Sequence, residues 1–254
     1  VDVPSGGHCL TFQLLGASSL IGSTGQLQMI TRRGGELGQI DLNLVFVGGS
    51  EDRLNQTELD EMVAQIEATW NRSGGPTVGD VGVYTLAGNS IVSQSEAIQA
   101  TAAGVEPDVL TAVDVFFFDD VTGTESGLLG FAGGVPGVNG IDGLFGSGVV
   151  ILLDGHVNIL GQLSGDTLGA TIAHEVGHQV GLNHTTERDG TSLALYQDVP
   201  VCDASFDTNG DDLVDAFECA NAGGRNFMFW TTDGGVNDIS PEQALVLRRS
   251  VAGR

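Results

Sequence analysis

The sequence predicts an α/β (α+β) domain, on three observations. Short apolar runs rich in Val, Ile, Leu and Phe recur at four places between residues 40 and 153. An amphipathic helical pattern separates the first two of them, so the order reads β-α-β-(α)-β. After Gly181 regular patterning gives way to loops, acidic residues and two cysteines, until one last helix. With 254 residues, of which 41% are hydrophobic and 17% charged, the chain has enough apolar material for a sizeable core and is not of disordered composition.

Residues 9–14 and 26–30, flanked by Gly and Ser, read as strands or a hairpin. Ile40 to Val47 alternates apolar and polar residues and stops at Gly48-Gly49, as a strand does. Asn55 with Glu58 three residues on forms a capping box, and Leu59, Met62, Val63, Ile66 and Trp70 follow at helical spacing. Val81–Leu86, Val113–Phe118 and Val149–Leu153 are further strands, with a short helix near Ser95 to Ala103. The phenylalanines 116–118 are core candidates, and Asp119-Asp120 reads as a solvated turn. Ser240-Pro241-Glu242-Gln243 combines an N-cap Ser, Pro at N1 and Gln at N3, which opens the last helix.

Asp and Glu number 33 against 9 basic residues, a formal charge of -24, which disfavours nucleic acid as a partner. All nine basic residues are Arg, so lysine Schiff-base and P-loop chemistry are excluded. No run reaches the roughly 18 apolar residues of a membrane span. The start at Val1 has no signal-peptide pattern, so the expectation is a cytosolic chain or one whose signal has been removed. The 39 glycines predict many turns and long surface loops, including a Gly-rich stretch from Gly127 to Gly148. There are three cysteines, Cys9, Cys202 and Cys219, an odd count that leaves at least one thiol without an internal partner.

His174-Glu175-Val176-Gly177-His178, extended by Gly181 and His184, spells HExxHxxGxxH. On a helix His174 and His178 lie one turn apart on one face, which suits two ligands of a tetrahedral metal. Gly181 lets the chain leave the helix with positive φ, and the turn returns His184 as third ligand. Three neutral imidazoles leave a fourth position to water, whose pKa Zn²⁺ lowers to about 7. Glu175 is then placed as general base and later general acid. The competing reading is three ordinary histidines on an amphipathic helix. With this composition the full pattern arises by chance at a rate of only ~10⁻⁵ per chain. His8 and His156 lie outside the motif and read as surface or hydrogen-bonded histidines.

With this motif the sequence resembles the metzincin metalloendopeptidases, and Asn226-Phe227-Met228, 44 residues after His184, resembles their Met-turn. The order Asp198-Val199-Pro200, Cys202, Cys219, Met228 and Ser240-Pro241-Glu242-Gln243 is similar to that of the pappalysin branch. The resemblance implies one catalytic domain over 1–254. Its upper part, 1–181, would be a twisted, mostly parallel sheet with a backing helix and the active-site helix. Its lower part, 182–254, would be irregular and end in a helix. It also implies that Met228 supports the site from below and that substrate lies extended along a sheet edge, for which Gly133–Gly137 and Gly148–Leu153 are the candidates. Where several metzincins carry a Tyr two residues after the Met, this chain has Trp230, whose indole can donate but cannot ligate zinc. Tyr196 is a candidate substitute for that Tyr; the alternative is a structural tyrosine.

Asp207 to Glu218 resembles an EF-hand calcium loop, with donors at Asp207, Asn209, Asp211, Leu213 (backbone carbonyl), Asp215 and Glu218, but with Asp212 in the position normally held by Gly. The alternative is a solvated acidic loop. Cys202 and Cys219 bracket it, and a disulfide there would contribute about 3 kcal/mol by loop entropy and favour an oxidising, extracytoplasmic compartment. The alternative is two buried thiols. Cys9 is then left as a strand thiol or as a latency switch belonging to a pro-segment.

Together these features predict a secreted zinc endopeptidase acting on proteins or peptides, with structural Ca²⁺ and a pro-segment or inhibitor as a further partner. The alternative is a catalytically weak or latent metzincin-fold binding module stabilised by zinc and calcium. Zinc hydrolysis of a non-peptide bond is the third reading.

Overall fold

The computed structural model describes residues 38–103, 112–123, 127–139, 143–193, 195–232, 238–250 and 252. The strands expected at 9–14 and 26–30, His8 and Cys9 lie outside the described residues.

The main sheet is built from β1 (Gln39–Val47), β2 (Thr77–Leu86), β4 (Val113–Phe118), β7 (Val149–Leu152) and β6 (Gly130–Ala132), in the order β2-β1-β4-β7-β6. All neighbours are parallel except β6, which runs antiparallel to β7 at the edge. Two short strands, β3 (Ile91–Ser93) and β5 (Asp120–Thr122), pair in parallel as a separate ribbon. Asp120 therefore starts a strand, and Asp119 accepts from Arg53 at 2.9 Å, where a solvated turn was expected.

The period-2 alternation of β1 sorts its side chains between two layers. Leu42, Leu44 and Phe46 face a core shared with Val115, Phe117 and Ile151, while Val45 and Val47 face another with Phe116, Phe118 and Val150. The helices α1 (Gln56–Trp70) and α3 (Gly165–Gln179) supply the first of these cores and α2 (Gln94–Ala100) the second, so both faces of the sheet are covered. Asp41 and Asn43 of β1 are thus buried too. Asn43 donates to Asp114 at 2.8 Å, and Asp41 accepts from the Asp80 backbone at 2.8 Å.

The helix ends follow their sequence signals. Asn55 accepts from the backbones of Thr57 and Glu58 while the Glu58 carboxylate accepts from the Asn55 backbone. Ser240 and Gln243 cap α4 (Pro241–Arg249) reciprocally. Gly165 and Gly169 let α3 lie against α1, since a Cβ at either position would meet the α1 backbone. Leu182, Phe227, Met228, Ala244 and Leu247, all C-terminal to Gly181, join the core of α1 and α3. A smaller cluster of Cys202, Val214, Ala216, Cys219, Ala222 and Phe229 lies under the disulfide.

One expectation is corrected. The strand of Gly148–Leu153, proposed as a substrate-binding edge, is the interior strand β7, hydrogen-bonded on both sides. The edge on this side of the sheet is β6, and Gly133–Gly137 follows it as a turn. Three residues of edge strand, the first of them a glycine, are too few for periodicity to single out. Among the described residues no helix is long and apolar enough to cross a membrane.

Candidate metal centre

The centre is assembled by α3 and the turn that follows it. Ser164 caps α3, and its last turn closes with the Val180 N–H bonded to the Val176 carbonyl and the Leu182 N–H to the Gly177 carbonyl. Gly181 has φ 110°, the left-handed conformation that reverses the chain and brings His184 back towards the helix. The Nε2 atom of His184 then lies 3.1 Å from Nε2 of His174 and 3.0 Å from Nε2 of His178.

The other ring nitrogens decide what these three atoms are. His174 Nδ1 lies 2.7 Å from the Phe227 carbonyl, His178 Nδ1 2.7 Å from the Leu182 carbonyl, and His184 Nδ1 2.9 Å from the Glu187 carboxylate. All three partners are acceptors only, so each Nδ1 carries the proton and each Nε2 presents a lone pair. Burial pushes the His174 imidazole well below its usual range, with the two neighbouring histidines acting in the same direction, and holds His178 at about 4. Lone pairs facing one another at this distance repel unless a cation lies between them. A tetrahedral zinc with bonds of about 2.0 Å spaces its nitrogens by about 3.3 Å, so the residues fit a zinc ion. Among the described residues no other group of three or more His, Cys, Asp or Glu brings its ligand atoms together in this way.

Glu175 is buried beside this cluster and outside it. Burial raises its carboxyl to about 8, partly offset by a hydrogen bond from the Ala132 backbone. Ala132 ends β6, so the edge strand and the candidate base are in direct contact. Met228 packs from the far side. A Cβ on Gly177 would stand 2.5 Å from the Met228 sulfur, so glycine at that helix position is what admits the methionine. The Thr185 N–H bonds to the Met228 carbonyl at 2.8 Å, and Thr186 forms a parallel bridge with Phe229. The chain after His184 is thereby tied to the methionine-bearing turn.

A cavity of about 410 Å³ lies along the N-terminal half of α3, and none of the three histidines lines it. Its wall includes Ala170, one turn before His174, Leu129, next to β6, and Thr232, beyond Met228. His156, also in this wall, is buried and bonds through its two nitrogens to the Leu152 carbonyl and the Thr171 hydroxyl, so it is a structural histidine.

Other expected site residues lie apart from the histidines. Cys202 and Cys219 are disulfide-bonded, with Cα atoms 5.6 Å apart. Asp212 has φ 64°, the left-handed conformation that Gly serves in an EF-hand loop. The side chains of Asp207, Asn209, Asp211, Asp215 and Glu218 accept from backbone N–H groups within their own loop, and the carboxylates among them do not converge as a cluster. Trp230 donates its indole N–H to the Val214 carbonyl at 2.7 Å and lies under the Arg188 guanidinium, so its one donor is used away from the histidines. The Tyr196 hydroxyl accepts from the Asn183 backbone at 3.3 Å, next in sequence to His184.

Two residues escaped the sequence reading. Glu187 is an acidic residue three positions after the last histidine of the motif, and that spacing was its one signal. Gln179 is a polar residue in a variable slot of the motif, which carries no signal by itself.

A family model described as "Metallo-peptidase family M12B Reprolysin-like" matches residues 152–215, the segment that contains all three histidines. Among solved structures, mature mirolysin of Tannerella forsythia in complex with a cleaved peptide is 13% identical, with TM-score 0.53 over 85% of this chain and 92% of that one. Mirolysin in complex with compound 9 is 14% identical, with TM-score 0.52 over 83% and 91%. A promirolysin mutant of T. forsythia is 14% identical, with TM-score 0.50 over 85% and 80%. No curated protein matches the chain. The likeness is one of fold. With the assembled histidines, it bears out the resemblance to the metzincins.

Proposed function

We propose that this chain is a secreted zinc-dependent endopeptidase, with His174, His178 and His184 holding the metal and Glu175 as general base. The observation that carries this is the convergence of three Nε2 atoms, that of His184 lying 3.0–3.1 Å from the other two, beside a buried carboxyl group. A zinc ion bound there supplies Lewis acidity, which brings the deprotonation of water towards neutral pH and polarises a carbonyl.

The chain's own residues do the rest. The Phe227 and Leu182 carbonyls and the Glu187 carboxylate hold the imidazoles in the ligating tautomer. Glu175, buried beside the imidazoles and held by the Ala132 backbone, is the carboxylate placed to take a proton from water and return it to the leaving amine. β6 offers an edge on which an extended peptide adds as a further strand.

The reading extends to one catalytic unit with an upper part, 1–181, and a lower part, 182–254, of pappalysin type. The disulfide supports an oxidising compartment. That one structural neighbour is a pro-form supports a pro-segment. Structural calcium at Asp207–Glu218 draws only on the loop register and the left-handed Asp212, since the loop's carboxylates do not converge as a cluster. A second reading, a metal-stabilised binding module without useful turnover, draws on the engagement of Trp230 with Val214, which leaves no side-chain donor two residues after Met228 for a transition state.

Cleavage of casein and of a quenched peptide library, with metal content quantified, separates the two. Cleavage by the wild type that a zinc chelator stops, and that Glu175→Ala loses with zinc retained, is the expected result. Stoichiometric zinc without cleavage by the wild type would leave the binding module.

A further inference from the structure

The Gly-rich stretch expected to form a surface loop is folded in part around one side chain. Gln179, the last residue of α3, is fully buried between His178 and Gly181. Its Oε1 accepts from the Gly133 N–H at 3.1 Å, its Nε2 donates to the Val138 and Gly146 carbonyls, and its backbone carbonyl accepts from the Gly137 N–H at 2.9 Å. The amide therefore joins both described flanks of the β6–β7 connection to the helix that carries two of the histidines. The glycines are the cradle for it. A Cβ on Gly137 would stand 2.1 Å from Gln179 Oε1, and one on Gly133 would stand 2.2 Å from the Gly146 carbonyl oxygen.

The anchored segment borders the site at two points. It begins one residue after Ala132, whose backbone bonds to Glu175, and its Pro136 lies against Gly181, at 3.7 Å from a Cβ placed there. Between these points Val135 is exposed, an apolar side chain at the rim of the site. A buried amide with its hydrogen bonds made on three sides has one arrangement, and losing one partner leaves buried backbone groups unpaired.

We propose that Gln179 is a positioning residue for substrate binding. It sets where residues 133–138 stand against α3, and with them a subsite at Val135 that takes an apolar side chain of an extended peptide. The proposal rests on the endopeptidase reading for its substrate, and on geometry alone for the clamp.

The test compares wild type with Gln179→Ala, Gly137→Ala and Val135→Ser, each assayed for zinc content, for amide hydrogen exchange over 133–139 and 143–148, and for kcat and KM on paired peptides with an apolar or a serine residue at the varied position. Gln179→Ala is expected to keep stoichiometric zinc, to speed exchange in both segments about tenfold or more, and to raise KM for the apolar peptide about tenfold with kcat little changed. Gly137→Ala, which crowds the amide, should reproduce both effects with Gln179 intact, and keeps the test valid if Gln179→Ala does not fold. Val135→Ser should lose the apolar preference without faster exchange. Unchanged exchange in both clamp variants overturns the clamp, and unchanged peptide preference in Val135→Ser overturns the subsite. Absence of cleavage by the zinc-loaded wild type defeats the endopeptidase reading and the subsite with it, while the exchange measurement still decides the clamp.

Discussion

His184 and Glu187 are joined by a hydrogen bond of 2.9 Å between Nδ1 and Oε2, the one imidazole of the cluster oriented by a carboxylate and not by a backbone carbonyl. The Glu187 N–H bonds to the Thr191 carbonyl at 2.7 Å and its carbonyl accepts from Gly190, so a tight turn holds the carboxylate in place. A charged acceptor makes the imidazole a stronger ligand and selects its tautomer. His184 is also the candidate ligand carried by the chain beyond α3, where no helix fixes its ring.

Glu187→Gln is therefore expected to weaken zinc binding about 10- to 100-fold while leaving the fold intact. Competition against a chromophoric chelator measures this. An affinity equal to that of the wild type would show that the turn alone places His184.

In the metal-free protein Glu175 and His178 oppose each other as pH changes. The carboxyl is held at about 8 against an ordinary value of 4.5, so between these the folded chain keeps a proton that the unfolded chain has released. Stability falls as pH rises through that window. His178, held at about 4 against 6.5, stays neutral where the unfolded chain is protonated, and stability falls as pH drops between those values. Thermal melts in chelator should show the alkaline loss reduced in Glu175→Gln and the acid loss retained. An alkaline limb identical in the two proteins would contradict the assignment.

Gly177→Ala should destabilise by about 1–3 kcal/mol, because the new methyl has no place beside the Met228 sulfur. Adding Met228→Ala removes the obstacle, so the double variant should be more stable than the sum of the two single losses. Additive losses in denaturant melts would mean that the two residues do not meet.

Replacing Cys202 and Cys219 by Ser opens a loop with a sequence separation of 17 and is expected to cost about 3 kcal/mol. The loss should appear first in the cluster containing Val214, Phe229 and Trp230, and near-ultraviolet dichroism of Trp230 reports it. Unchanged stability and dichroism would show that the cluster holds without the bond.

Much of this architecture is legible in local sequence. The capping boxes at Asn55 and Ser240, the strands of Val113–Phe118 and Val149–Leu152 and the two histidines one turn apart on α3 all follow from patterns spanning a few residues. Local hydrogen bonds and side-chain periods are what such patterns record. Gly181 belongs with them, because its place after the last helical turn calls for the left-handed conformation it adopts.

What only the tertiary structure decided depends on residues far apart in the chain. Which strand closes the β7 side of the sheet was settled by pairing β6 antiparallel to β7, a choice that leaves no mark in the three residues Gly130–Ala132. The tautomer of His174 depends on the carbonyl of Phe227, 53 residues away. The glycines at 133, 137 and 146 read as loop punctuation until Gln179 is placed among them, when each proves to be the residue small enough for the buried amide or for the backbone packed around it. By itself the sequence determined which residues are candidates for holding a metal and for the base. The packing of the edge strand, the methionine-bearing turn and the 133–148 connection against α3 determined how those residues are held, because buried polar groups accept one arrangement and a sequence does not show which distant partners will satisfy them.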